Sequence, residues 1–154
     1  MKIAVVSDTH NNWNNFEKAI NWIKKENIQF ILHCGDITTI ETLNTAKNIF
    51  AGQIEFVKGN GDFNLDLPEE KEIEIGKKKI AFTHFPKIAK NLAESGKYDL
   101  VFYGHTHKPW EEKVGNCRLI NPGELAGQIF KPSFAVYDTE KDFLELKILD
   151  QLTI

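Results

Sequence analysis

Apolar and polar positions along this chain follow two rhythms. Ile3-Ala4-Val5-Val6, Phe30-Ile31-Leu32, Ile54-Glu55-Phe56-Val57 and Leu100-Val101-Phe102-Tyr103 are short, mostly apolar runs rich in β-branched and aromatic residues. Such runs predict strands, the first of them buried on both faces and those at 30–32 and 100–103 buried as well. Between them the apolar spacing lengthens to that of a helix. Trp13, Phe16, Ala19, Ile20 and Ile23 form one stripe behind Asn11 or Asn12, either of which can cap a helix. A weaker pattern through Leu43, Ala46, Lys47 and Phe50 predicts a second helix, and Ile88 to Leu92 predicts a short third one closed near Gly96.

After Pro68 the rhythm changes. Lys71 to Ile75 alternates, Gly76-Lys77 predicts a turn, and Lys79 to Thr83 reads as the return strand of a hairpin. From Glu111 onward the pattern predicts only strand and turn, in Glu112 to Val114, Arg118 to Ile120, Phe134 to Tyr137 and Phe143 to Ile148. These strands are expected to be largely antiparallel. The expected fold is α/β: two mixed β-sheets packed face to face and flanked by helices. At 154 residues the chain suits one domain over 1–154.

Composition narrows the function. No apolar run is long enough for a bilayer span or a signal peptide, so the expectation is a soluble, cytoplasmic protein without a membrane partner. A net charge of -3 offers no footprint for sequence-independent nucleic-acid binding. Cys34 and Cys117 are expected to stay reduced, with Cys34 filling buried space rather than ligating a metal.

Candidate chemistry collects where strands end. Asp8 and His10 follow the first apolar run, Asp36 the second, Asn60 the third, His84 the hairpin, and His105 with His107 the run at 100–103. Ligands of open α/β sheets bind at such strand ends. Asp8-x-His10 places two side chains on one side of an extended segment, and His105-x-His107 lets two imidazoles converge without strain, with Gly104 allowing the turn. Taken singly, Gly35-Asp36 and Gly59-Asn60 read as ordinary turns and His84 as a satisfied, partly buried histidine. Their shared position after strands is what singles them out.

In order, Asp8-x-His10, Gly35-Asp36, Gly59-Asn60-x-Asp62, His84 and Gly104-His105-x-His107 resemble the motifs of the calcineurin-like metallophosphoesterase family, most closely its small bacterial and archaeal phosphodiesterase branch. The resemblance spans nearly the whole chain. It implies that Asp8, His10, Asp36 and His107 hold one divalent ion, that Asn60, His84 and His105 complete a second, and that Asp36 bridges them. Asp36, Asn60 and His105 are assigned the catalytic part. Mixed imidazole, carboxylate and amide donors suit Mn, Ni, Fe, Co or Zn. The implied reaction is hydrolysis of a small phosphodiester by direct attack of a hydroxide bridging the ions, without a covalent intermediate.

Two departures bear on substrate. Gly61 stands where phosphatases of the Gly-Asn-His type carry a histidine that protonates the leaving group, so good leaving groups are favoured unless a neighbour such as Lys108 substitutes. His84 continues into Phe85-Pro86, a bulky and rigid pair, with Phe85 expected in the core and Pro86 opening the next helix. Asp62 reads either as a residue orienting a ligand or as an exposed turn, and His33 as structural. Asn121-Pro122-Gly123-Glu124 resembles a family turn that usually ends in Ser, and Glu124 is not expected to be catalytic. The alternatives are a phosphomonoesterase with the same metals, or a non-catalytic scaffold or metal-binding module like the retromer subunit related to this family. Homo-oligomers are common among relatives.

Overall fold

The computed structural model describes residues 1–153. One sheet is built from β1 (Lys2–Val6), β2 (Phe30–His33), β3 (Gln53–Phe56), β9 (Ser133–Asp138) and β10 (Phe143–Ile148), in the order β10-β9-β1-β2-β3. The other contains β4 (Glu70–Ile75), β5 (Lys78–Thr83), β6 (Leu100–Phe102), β7 (Trp110–Val114) and β8 (Cys117–Asn121), in the order β4-β5-β6-β8-β7. β1, β2 and β3 pair in parallel, as do β5, β6 and β8. In the first sheet β9 and β10 extend the parallel set antiparallel beyond β1 and leave β3 as the other edge, whereas in the second sheet β4 and β7 flank the parallel set antiparallel on both edges.

Alternation along the strands sorts the core into three layers. Ile3, Val5, Leu32, Phe82, Phe102, Ile120 and Tyr137 meet between the sheets. Ala4, Val6, Ile31, Phe134 and Val136 point the other way, against Phe16, Ile20 and Ile23 of α1 (Trp13–Lys25) and Leu43 of α2 (Ile40–Ile49). Ala81, Val101 and Leu119 lie under Ala89 and Ala93 of α3 (Pro86–Glu94). Both faces of each sheet are therefore covered, which is why the central runs are apolar without a polar period. Each large aliphatic side chain so buried contributes about 1.5–3 kcal/mol.

Local chemistry explains the element ends. Asn12 is the residue that caps α1, its side chain accepting the Asn15 N–H at 3.1 Å. Thr39 caps α2 in the same way through Thr42 N–H. Pro86 opens α3, where a missing N–H costs nothing. Gly76 and Lys77, both at positive φ, form the two-residue turn between β4 and β5.

The late strands depart from expectation in two ways. β8 lies parallel to β6, because the 103–109 segment carries the chain out to the edge strand β7 before β8 returns beside β6. A 3-10 turn over Leu149–Gln151 also follows β10, held by Leu149 packing into the helix-side core. No helix among the described residues is long and apolar enough to cross a membrane.

Candidate metal centre

The C-terminal ends of β1, β2, β3, β5 and β6 converge on one side of the two sheets, and their loops are tied together by backbone hydrogen bonds. Asp8 and His10 donate to the carbonyls of Gly35 and Asp36 at 3.0 and 2.9 Å, and Gly104 donates to that of His84 at 3.2 Å. Asp8, His10, Asp36, His105 and His107 all adopt left-handed backbone, with φ between 46° and 74°. This corrects the extended, unstrained picture of Asp8-x-His10 and His105-x-His107: the chain must reverse sharply as it leaves each strand. Left-handed backbone costs an L-residue about 1–2 kcal/mol, and such strain clusters at functional sites. Gly59 and Gly104 serve by their size rather than their φ. A Cβ on Gly59 would fall onto the Asp36 carboxylate, and one on Gly104 would lie 2.6 Å from Asp8 Oδ2.

All seven side chains singled out in the sequence meet here. His107 Nε2 lies 3.2 Å from Asp8 Oδ1 and 3.2 Å from His10 Nε2. Asp36 Oδ2 stands between His10 Nε2 at 3.3 Å and His84 Nε2 at 3.4 Å. His84 Nε2 is 3.0 Å from Asn60 Oδ1, and His105 Nδ1 is 3.3 Å from that oxygen and 3.2 Å from His84 Nε2. Two ring nitrogens held 3.2 Å apart need a proton or a cation between their lone pairs. For metal–ligand distances near 2.1 Å, adjacent ligands lie about 3.0 Å apart in an octahedron and about 3.4 Å apart in a tetrahedron. The donor spacing matches these edges, so the residues fit divalent ions. Asp8, His10 and His107 form one such group, and Asp8, Asp36 and His84 another.

Surrounding groups aim each donor. Ser7 Oγ and the His105 N–H donate to Asp8 Oδ2 at 2.7 and 3.1 Å, leaving Oδ1 for the histidines. The Gly61 N–H donates to Asp36 Oδ1 at 2.7 Å, leaving Oδ2 free. His84 Nδ1 donates to the Cys34 carbonyl at 2.9 Å, so Nε2 presents its lone pair. Burial alone would raise the Asp8 carboxyl, but its bond to His10, the charges of His84 and His107 and the Ser7 hydroxyl together hold it below the usual range. The bond to Asp8 raises His10 above an ordinary histidine against a smaller opposing effect of burial.

Among the neighbours, Phe85 departs from expectation, whereas His33 and the two cysteines meet it. Asp62 is fully buried, and its carboxylate accepts the N–H groups of Asp36, Gly59 and Thr38 at 2.8, 2.8 and 2.7 Å. Phe85 is only partly buried, its ring edge-on to His84 at 5.3 Å and tilted against His105 at 6.4 Å, so it walls the site instead of joining the core. The Lys108 ammonium lies over the Trp110 ring at 5.1 Å. His33 is structural, its Nε2 2.8 Å from Thr9 Oγ1 and its Nδ1 accepting the Gly35 N–H. Both cysteines are free and buried. Sequence reasoning passed over Ser7, whose position before Asp8 was the available signal. It also gave no partner to Glu124, now 3.1 Å from His107 Nδ1.

Residues 1–142 match the calcineurin-like phosphoesterase superfamily domain. The chain belongs to that superfamily. Phosphodiesterase MJ0936 of Methanocaldococcus jannaschii is 34% identical over 92% of this chain and 95% of its own. The metallophosphoesterase YsnB of Bacillus subtilis, itself named as probable, is 29% identical over 98% and 92%. A solved archaeal phosphodiesterase superposes with a TM-score of 0.87 at 30% identity, covering 96% of this chain and 99% of its own. Vps29 of Entamoeba histolytica, solved with zinc, shares the fold at 22% identity and a TM-score of 0.72, over 96% and 97% of the chains. This calcineurin-like chain is accordingly a phosphoric ester hydrolase of a superfamily that uses divalent metal ions.

Proposed function

We propose that the chain hydrolyses phosphodiesters at a two-ion centre held by Asp8, His10, Asp36, Asn60, His84, His105 and His107. The observation carrying this reading is the spacing of their donor atoms, 3.0 to 3.4 Å, with Asp36 Oδ2 shared between the His10 and His84 sides. Asp8, Asp36 and His84 lie buried at the base, whereas Asn60 and His105 are exposed and mark the side from which substrate enters. Divalent ions held by these residues would supply positive charge to the phosphoryl oxygens and would lower the pKa of water enough to make it a nucleophile at neutral pH. Ser7 Oγ is buried and donates to Asp8, so water rather than this hydroxyl attacks phosphorus, and configuration there inverts.

Gly61 supports the choice of diester. Its N–H holds Asp36, yet it carries no group to protonate a departing alkoxide. General acid catalysis is worth about 10²-fold to 10⁴-fold, so good leaving groups are favoured. The phosphodiesterase named among the relatives agrees with this choice. The test measures initial rates on an aryl phosphodiester and an aryl phosphomonoester with metal-stripped protein reloaded with Mn, Ni, Fe, Co or Zn singly. The diester should be preferred, and Asp36→Asn should lower its rate by more than about 100-fold, because the carboxylate shared by the two ion sites is lost and with it the charge they would present to the phosphoryl oxygens. A monoester preference, or retention of configuration, contradicts the proposal.

A further inference from the structure

His107 turns one ring nitrogen toward the donor cluster and the other away from it. Nε2 faces Asp8 and His10, while Nδ1 lies 3.1 Å from Glu124 Oε2 and has no aligned hydrogen-bond partner among the described residues. Glu124 is fully buried, where a carboxylate needs compensating donors. The next loop provides them: Oε1 accepts the Gln128 N–H at 2.5 Å, and Oε2 accepts those of Ile129 and Phe130, each at 3.0 Å. The same loop donates the N–H groups of Leu125 and Ala126 to the carbonyls of Ser7 and Asp8, both at 3.0 Å. One carboxylate thus stands between His107 and a loop that carries the exposed side chains of Ile129 and Phe130.

We propose that Glu124 is a positioning residue for His107: it receives the Nδ1 proton, keeps the Nε2 lone pair on the cation side, and fastens residues 128–130 with the same two oxygens. This rests on His107 being an ion ligand. An imidazole that binds a cation through Nε2 carries its proton on Nδ1, and a carboxylate there fixes the ring and raises its basicity. Glutamate suits the position and glutamine does not. Three backbone N–H groups and His107 share two acceptor oxygens, and an amide has only one.

The test uses calorimetric zinc titration and ¹⁵N-histidine NMR on the full chain and on Glu124→Gln. In the zinc-loaded parent, the His107 Nδ1 proton should be slow to exchange. Glu124→Gln should weaken zinc binding by about 10-fold to 100-fold and open that proton to solvent, leaving the His84 Nδ1 proton on the Cys34 carbonyl unchanged. Faster amide exchange at 128–130 with zinc affinity and the His107 signal intact would show a loop fastener only and overturn the proposal. Glu124→Asp, charged but one carbon shorter, is the second variant if Glu124→Gln does not fold. Affinity between parent and glutamine variant, or simply below the parent where the latter is unfolded, supports the proposal, and parental affinity overturns it. A parent chain that takes up no zinc, manganese or nickel overturns the metal-centre reading together with this one.

Discussion

The Asp62 carboxylate accepts N–H groups from Asp36, Thr38 and Gly59, joining the loops after β2 and β3 through one side chain. Hydrogen bonds to a charged group contribute about 1.5–3 kcal/mol each when a partner is lost. The three bonds share one carboxylate and do not add in full, so Asp62→Ala should lower stability by at least about 3 kcal/mol in urea titration, and weaken metal binding as the Asp36 peptide shifts; an unchanged midpoint would contradict this. His33 makes a second prediction. Burial holds it down to about 3, from an ordinary value of 6.5, so between those pH values the unfolded chain takes up a proton that the folded chain refuses. Its contribution is complete above about pH 6.5 and is lost toward pH 3, by up to about 1.4 kcal/mol per pH unit. His10 acts oppositely in the metal-free chain: its raised value adds stability below pH 6.5 that fades as pH climbs. Urea unfolding of the metal-free parent and of His33→Asn between pH 8 and pH 5 separates them, the variant being expected to lose less on acidification. Neither Asp62's burial nor Glu124's contact with His107 was legible in the sequence, because both sit in strong turn signals that specify backbone shape without showing what covers them.

Among the elements, α1 depends on a cap that also reaches across the molecule. Asn12 Oδ1 accepts the Asn15 N–H, and its Nδ2 donates to the Ala126 carbonyl at 3.2 Å, on the loop behind Glu124. Asn12→Ala should cost about 1–2 kcal/mol, read as a lower thermal midpoint. Asn12→Asp keeps the cap but loses the amide donor, so it should recover most of that stability; equal losses would place the effect in the Ala126 contact. Helix and strand rhythms were legible because each is written in neighbouring residues: the stripe from Phe16 to Ile23, the turn at Gly76-Lys77, the proline opening α3. The parallel seat of β8 beside β6 was not, since nothing in Arg118 to Ile120 records which strand lies alongside.

Across the whole molecule, the donors come from both sheets. Asp8, His10, Asp36 and Asn60 follow strands of one, and His84, His105 and His107 follow strands of the other. Ions bound among them would staple the sheets at one end. At about 100 times its Kd, a divalent ion should add about 2.7 kcal/mol to unfolding, reversed by a chelator and much reduced in Asp36→Asn. Calorimetry with and without metal checks this, and equal midpoints would refute the staple. The order of residues alone settled the strand and helix rhythms, the layered α/β class and the seven side chains at strand ends, since periodicity and position relative to a strand are local properties of the chain. Only the tertiary structure decided that His10 and His107, 97 residues apart, bring their Nε2 atoms to 3.2 Å, and that five of the seven residues accept left-handed backbone to do so. Those outcomes depend on sheet order and on loops packed against one another, and contacts so distant leave no period in the sequence.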